Sequence, residues 1–258
     1  MQDPAAAEEE QRYFFVHIQK TAGVSLRQHL IANLGRERIY PAMEGTGGEA
    51  MQGFLTSYLS GALLTSLPRW ALEEFLLFHG HMPFTTTRRL PFDRPLKVFT
   101  ILREPIERTI SVLGQKKRHR PEFKDASLED IYTDESIHAG QILNHQTKIF
   151  AVPDDSDALG GYAPYAVGPA ELERAKENLA TLEVIGLMSD MQGFLDNLGS
   201  TFSWNMLEED VRENVGHKTE VSQSLLDRIA EDNYLELEFY AFAEKLVAEQ
   251  QGRIKAQA

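Results

Sequence analysis

Short apolar runs alternate with amphipathic segments along most of this chain. Four of these runs, at 13–16, 75–78, 96–102 and 183–187, are rich in β-branched and aromatic residues and short enough for strands buried on both faces. Strands that alternate with helices form parallel sheets with right-handed crossovers. The pattern therefore predicts a single α/β domain with one parallel β-sheet flanked by helices.

The segments between these runs carry apolar residues at helical spacing. Predicted helices begin near 21–25, run over 54–67 as far as Pro68, start at Pro105, cover 127–150 behind a Ser127–Asp130 capping signal, and occupy 169–179, 191–198 behind Ser189, and 225–247. Segments 40–53 and 151–168 read as loops. We expect a disordered lead-in over 1–12, the domain over 13–250 and a frayed tail over 251–258.

The first predicted strand is followed by a polar loop, residues 17–23, and then by a helix start. The first N–H groups of a helix point at a bound anion, and the helix dipole favours negative charge there. Lys20 adds a mobile positive charge, and Thr21 and Ser25 add hydroxyl donors. The loop is not a Walker A loop, since G-x-x-x-x-G-K-[ST] does not fit. A strand, a loop with a lysine and a helix start together predict a phosphate site.

A second cationic group follows the third predicted strand. Arg103 stands at the strand end, Pro105 begins the next helix, and Ser111 lies two turns further on, close to the face of Arg103. An arginine binds a phosphate with two parallel hydrogen bonds, so an arginine and a serine make a phosphate clamp. An ion-paired helix start is the alternative for this segment taken alone.

Two histidines, His79 and His81, follow the second predicted strand and flank Gly80. Residues two apart point to the same side, and the glycine allows a ligand to approach. A histidine with a pKa near neutrality suits the role of general base. The alternative is a metal pair, but no third ligand has suitable spacing, and we expect no metal.

Composition narrows the function classes. The chain has 258 residues, 42% of them apolar, no cysteine and a net charge of −13. That charge argues against a general nucleic-acid binder and against docking on anionic membranes. With no run of eighteen apolar residues and no secretory signal, we expect a soluble, cytoplasmic, bacterial protein without a membrane anchor.

The residues of these motifs resemble those of a known enzyme family. Residues 17–26, HIQKTAGVSL, closely resemble the 5′-phosphosulfate loop H-I-P-K-T-[AG]-G-[TS]-S-L of the carbohydrate-type sulfotransferases related to heparan sulfate and uronyl 2-O-sulfotransferases. Gln19 replaces the usual proline and Val24 the usual threonine. Residues 103–111 resemble the 3′-phosphate region R-[DE]-P-x-x-R-x-x-S of the same enzymes, and 79–81 their H-x-H. Weaker likenesses at 144–148, 214–219 and 232–240 extend the resemblance over most of 13–247.

The resemblance implies a P-loop-like sulfotransferase fold and transfer of a sulfuryl group from 3′-phosphoadenylyl sulfate (PAPS), leaving PAP, to an acceptor hydroxyl, possibly of a glycan. It implies His81 as the base, His79 as its supporting partner and Lys20 as the group that stabilises the leaving oxygen. The implied donor-binding residues are Gln19, Lys20, Thr21, Ala22, Gly23, Val24, Ser25, Arg103, Ser111, Lys218 and Thr219.

Two other classes of function stay open. One is a P-loop-like kinase or nucleotide phosphotransferase, which also binds phosphate between a strand and a helix; it needs a Walker A hydroxyl and an acidic Mg²⁺ ligand, and neither is convincingly placed. The other is a non-catalytic nucleotide-binding module of the same fold. Acceptor identity and oligomeric state carry no motif.

Overall fold

The protein is a five-stranded parallel β-sheet with helices on both faces. The structure, a computed structural model, describes residues 10–41, 48–157, 159–207 and 220–257. Its strands are β1 (Tyr13–Val16), β2 (Ile39–Tyr40), β3 (Leu77–Gly80), β4 (Lys97–Leu102) and β5 (Val184–Leu187), in the order β2-β3-β1-β4-β5. All neighbouring pairs are parallel. The predicted fold class is confirmed, and the four predicted strands lie within two residues of those observed.

Nine α-helices lie between the strands in the described part of the chain, and three more follow β5. They are α1 (Gly23–Leu34), α2 (Gly48–Leu59), α3 (Gly61–Ser66), α4 (Arg69–Leu72), α5 (Pro105–His119), α6 (Leu128–Thr133), α7 (Glu135–Ile137), α8 (His145–Ala151), α9 (Pro169–Ala180), α10 (Met191–Phe202), α11 (Gln223–Asp232) and α12 (Tyr234–Gln257). A π-helical turn at His138–Ile142 joins α7 to α8.

The sheet buries both of its faces because side chains alternate along each strand. On one face, Phe14 and Val16 of β1 join a core with α8, α9 and α12. On the other face, Phe15 packs with the apolar residues of α1 and α10. A third, smaller cluster lies between α5, α6 and α11. This two-sided burial explains why the strands read as continuous apolar runs.

Several predicted helices are two or more shorter helices in the structure, although the apolar spacing in the sequence continues across the break. The predicted helix 54–67 is α2 and α3, which separate at Ser60; the Ser60 hydroxyl caps α3 by accepting the N–H of Leu63 at 3.1 Å. The predicted helix 225–247 is α11 and α12, which meet at Asn233. The prediction of a loop over 40–53 was wrong for 48–53, which begins α2; residues 42–47 lie outside the described part.

Two capping predictions had different outcomes. The Ser127 box is present, since its hydroxyl accepts the Asp130 N–H at 3.0 Å while the Asp130 carboxylate accepts the Ser127 N–H. The segment behind it is divided into α6, α7, the π-helical turn and α8 rather than one helix. At α10 the prediction of Ser189 was wrong: Asp190 caps the helix by accepting the Gly193 N–H at 3.0 Å.

None of the helices in the described residues combines the length and apolar character needed to cross a membrane. Helix α12, the longest at 24 residues, continues to Gln257 and so extends past the predicted helix end at Val247. The proposed boundaries of the lead-in, domain and tail stay predictions.

Candidate active site

The carboxyl ends of β1 and β4 lie side by side at one edge of the sheet, and this location is called the crevice below. These strands are neighbours, yet the chain leaves β1 towards β2 on one side of the sheet and leaves β4 towards β5 on the other. Helix α1 packs on one face and α9 on the opposite face. In parallel sheets, ligands bind where neighbouring strands diverge in this way, beyond their carboxyl ends.

The loop after β1 lies at this crevice and contains two residues with an unusual backbone conformation. Lys20 and Ala22 have left-handed conformations, with φ of 71° and 63°, which non-glycine residues seldom adopt outside functional sites. Alternation of handedness turns successive N–H groups into an anion-binding concavity. Helix α1 then begins at Gly23 with no side-chain cap and no acidic residue in its first turn, so its leading N–H groups have no side-chain acceptor.

The remaining residues of the predicted loop have distinct positions. Thr21 is fully buried and donates its hydroxyl to the Ile18 carbonyl at 2.9 Å, so that hydroxyl fixes the loop. This use differs from the predicted one as a hydroxyl donor to phosphate. Ser25 is half-buried in the first turn of α1, and Val24 is the helical residue before it.

Gly23 packs directly against the ring of His17, which leaves no room for a side chain. A side chain at this position would overlap the imidazole of His17, which stacks on Phe15 with ring centroids 5.0 Å apart. The close approach lets the chain turn from β1 into α1 directly beside the histidine.

Arg103 lies across the crevice from the Lys20 loop. Its Nη1 donates to the Lys20 carbonyl at 3.5 Å, and its Nε lies 3.5 Å from the Glu107 carboxylate. The Arg103 Nε is buried and makes no hydrogen bond with the described residues. The pKa of Lys20 is lowered by burial and then by the charges of Arg118 and Arg103. Both predicted phosphate ligands are therefore brought together, in a cationic crevice.

One face of α5 lines the same crevice. Ser111, Gln115 and Arg118 follow one another at helical spacing. Gln115 accepts a hydrogen bond from the Gln19 amide at 3.1 Å, while the other polar atom of the Gln19 side chain, Oε1, is buried and unpartnered among the described residues. Ser111, half-buried one turn before Gln115, has no direct hydrogen bond to Arg103. Gln115 and Arg118 were not predicted from sequence.

Arg103 is fixed by a buried amide. Gln146, from the N-x-Q-T-K segment, accepts the Arg103 N–H at 3.0 Å and donates to the Arg103 carbonyl at 2.8 Å. The Gln146 side chain and N–H also donate to the Glu236 carboxylate, at 3.0 and 2.7 Å. Glu236 in turn pairs with fully buried Arg108, with Nε and Oε1 3.4 Å apart. The weak likeness at 144–148 thus marks residues that position the arginine.

Three histidines meet around one tyrosine. The ring of Tyr58, from α2, contacts those of His17, His79 and His81 with centroids 5.8, 5.1 and 4.8 Å apart. Tyr58 also hydrogen-bonds His17 Nδ1. The structure therefore brings the predicted pair His79 and His81 to the same edge as the Lys20 loop, since Val16 and Gly80 are paired in the sheet.

The histidines are held in their neutral form. Burial lowers the pKa of His17 to about 4 and, with the neighbouring His17 charge, that of His79 to about 3. Burial followed by the charges of His17, His79 and Lys116 lowers the pKa of His81 well below its ordinary value. These pKa values lie below the near-neutral range that suits a general base, because the rings are half-buried against one another and against Tyr58. Each imidazole therefore carries one N–H and one nitrogen lone pair at pH 7.

A further tyrosine, Tyr162, contacts His81. Its hydroxyl lies 2.9 Å from His81 Nδ1. Tyr58 and Tyr162 were not predicted, because they come from segments distant in sequence and carry no motif. Lys218 and Thr219 lie outside the described residues. Among the residues that are described, no group of three metal-binding side chains is found.

Comparisons with known proteins add little to this picture. No family model and no curated protein matches the chain. Among solved structures, a sulfotransferase from Alicyclobacillus acidocaldarius is similar, with 15% identity, a TM-score of 0.48 and coverage of 93% of this chain and 96% of that one. Values this low carry no inference about activity, which has to come from the residues of the site.

Proposed function

We propose that this chain is a sulfotransferase that moves the sulfuryl group of PAPS to an acceptor hydroxyl. The observation that carries the proposal is the convergence of two cationic phosphate-binding groups and a neutral histidine cluster on one crevice. Lys20 and Arg103 face each other there, with Arg103 Nη1 3.5 Å from the Lys20 carbonyl. This pairing, together with the motif resemblance, supports a donor that carries two separate anionic groups.

The two anionic ends of the donor have separate partners. We assign the 5′-phosphosulfate to the start of α1, which has no side-chain cap, and to the neighbouring Lys20. The 3′-phosphate is placed at Arg103 and Ser111, because a guanidinium binds phosphate with parallel hydrogen bonds. The Gln146 amide holds the Arg103 backbone in place for this contact. Lys218 and Thr219 are proposed as additional donor contacts on the strength of the resemblance alone.

The transfer itself is a single displacement at sulfur. The acceptor oxygen forms the new S–O bond while the S–O bond to the donor phosphate breaks, and PAP leaves. The acceptor proton goes to His81, and His79 supports that ring or the substrate. Lys20 stabilises the negative charge that develops on the bridging oxygen. Preorganised charges of this kind usually supply the largest part of catalysis.

The low pKa of His81 fits a base that works beside a bound anion. In the free protein the ring is neutral and ready to accept a proton. The negative charge of the donor favours the imidazolium that forms during transfer. The rings of Tyr58 and Tyr162 contact the His81 ring and hold it in place. A carbohydrate or another small hydroxyl compound is the proposed acceptor class.

A phosphotransferase has less support. In such enzymes the residue after the P-loop lysine directs its hydroxyl to Mg²⁺. Here Thr21 follows the lysine, but it is buried and its hydroxyl is directed to the Ile18 carbonyl.

The test measures PAP released from PAPS in the presence of pooled hydroxyl acceptors. His81→Ala is expected to lower the turnover rate roughly 10²–10⁴-fold, which is the usual contribution of a general base, and to leave PAP binding intact. Lys20→Ala is expected to lower both turnover and PAP binding. His119→Ala, an exposed histidine at the end of α5, is the matched control and keeps both. An equal loss of PAP binding in His81→Ala would exclude the base assignment.

A further inference from the structure

Resting on the proposed function, we infer that Tyr162 is a positioning residue that selects the tautomer of the catalytic histidine. Its hydroxyl is 2.9 Å from His81 Nδ1, and the two rings have centroids 5.7 Å apart. A neutral imidazole carries one proton, which lies on either Nδ1 or Nε2. A phenol hydroxyl can accept a hydrogen bond from Nδ1–H or donate one to Nδ1, and only the first arrangement leaves Nε2 free to accept a proton.

The proposed arrangement, which is the one that the role of His81 as base requires, has His81 Nδ1–H donating to the Tyr162 hydroxyl oxygen. The lone pair is then on Nε2, which has no hydrogen-bond partner among the residues that the structure describes. In the opposite tautomer, Tyr162 donates to Nδ1, and Nε2 carries a proton and cannot act as a base. The His81 main-chain N–H donates to the Tyr58 carbonyl at 2.9 Å, so backbone and ring are fixed together.

The loop that carries Tyr162 is attached firmly to the neighbouring helices. Gly160 forms a bridge with Ser60 between α2 and α3, and the Gly61 N–H donates to the Leu159 carbonyl at 2.9 Å. Gly161 passes so close to the His81 backbone that any side chain there would overlap the His81 carbonyl. These contacts hold the next residue, Tyr162, against the histidine at a fixed distance, as a positioning role requires.

The decisive variant is Tyr162→Phe, which keeps the ring and removes only the hydroxyl. In ¹⁵N NMR spectra, with His81 assigned by comparison with His81→Gln, wild-type His81 is expected to be the Nδ1–H tautomer. Tyr162→Phe is expected to shift His81 to a mixture or to the Nε2–H form. A wild-type Nε2–H tautomer, or an unchanged tautomer in the variant, would overturn the inference.

Kinetics supply the second readout. Tyr162→Phe is expected to lower kcat about tenfold, the rate equivalent of one hydrogen bond, with PAP affinity unchanged. The matched control is Tyr132→Phe, which loses a hydroxyl hydrogen bond of 2.8 Å to Asp232 in the separate cluster beside α11 and keeps full kcat. An unchanged kcat in Tyr162→Phe contradicts the positioning role. If the wild-type protein transfers no sulfuryl group, the proposed function fails, while the NMR result still decides the tautomer.

Discussion

Two pairs of cationic side chains lie on either side of Gln146 and differ in how far the protein itself satisfies them. Arg108 and Lys148 are buried and surrounded by acceptors: Arg108 donates to Glu236 and to two carbonyls, at 3.1 and 3.2 Å, and Lys148 donates to the Gly140 carbonyl at 2.6 Å. Lys20 and Arg103 stand at the crevice. Among the described residues the Arg103 side chain makes one long hydrogen bond, to the Lys20 carbonyl at 3.5 Å, and its Nε lies 3.5 Å from the Glu107 carboxylate.

The difference separates two cations that the fold itself satisfies from two that we propose bind a ligand. The carbonyls that hold Arg108 and Lys148 belong to the π-helical turn His138–Ile142, where the helical pattern is interrupted. A buried charge whose donors are all satisfied contributes to the fold. A partly desolvated charge such as Lys20, whose ammonium has no acceptor among the residues that the structure describes, has a lowered pKa and gains from an incoming anion.

The largest expected effect falls on the structural pair. Arg108→Ala leaves the Glu236 carboxylate buried without its cation and is expected to cost about 3–5 kcal/mol of unfolding free energy in urea titrations. Arg120→Ala, which loses only the exposed pair with Glu122, is the control and is expected to cost less than about 1 kcal/mol.

Failure of Arg108→Ala to fold would leave its cause undefined, so a second variant completes this test. The double change Arg108→Met with Glu236→Gln removes both charges and is expected to recover part of the loss. If the double variant is no more stable than the single one, the charge pair is not what holds this region.

Lys20→Ala is expected to lower activity strongly and to leave stability almost unchanged. Its kcat should fall roughly 10²–10³-fold, because one preorganised charge on the leaving oxygen is lost. Its unfolding free energy should stay within about 0.5 kcal/mol of wild type, as for a surface substitution. Lys124→Ala, at an exposed lysine, should change neither quantity. Destabilisation comparable to that of Arg108→Ala would erase the distinction between the two pairs.

Gln146 lies between the two pairs of cations, so its loss should lower both stability and PAP affinity, each by an intermediate amount. Gln146→Leu removes the two hydrogen bonds that clamp Arg103. We expect PAP affinity, measured by calorimetry, to fall about tenfold and stability to fall by about 1–3 kcal/mol. Loss of stability with full PAP affinity would mean that the clamp does not position Arg103.

The smallest effect concerns pH and the histidine cluster. The pKa of His79 is about 3 in the folded protein, below its value near 6.5 in the unfolded chain. The unfolded chain therefore binds the extra proton first, and stability falls as the pH drops below about 6.5. Between pH 7 and 5, His79→Gln should show a shallower loss in urea titrations than wild type. Equal slopes would mean that His79 is not buried in its neutral form.

The sequence was sufficient for the parts of the fold that depend on local pattern. Four strands were predicted because each is buried on both faces. The fifth, β2, was missed because it has two residues and pairs only with β3. The break at Ser60 was missed because apolar spacing continues across it.

The candidate site was predictable to a similar extent. Lys20, Arg103 and the two histidines follow strands directly, and parallel strands bring their carboxyl ends to one edge. Tyr58 and Tyr162 reach His81 only through the packing of α2 and of the loop before α9. The degree of burial that lowers the histidine pKa values is also a product of tertiary packing, and no local pattern encodes it.

The central claim is that the crevice between β1 and β4 binds PAP through Lys20 and Arg103. Calorimetric titration of the purified protein with PAP, alongside ATP with Mg²⁺ and NAD, tests it most directly. We predict binding of PAP alone, weakened in Lys20→Ala and Arg103→Ala and unchanged in Lys124→Ala. No binding of PAP, or a preference for ATP with Mg²⁺, would contradict the account.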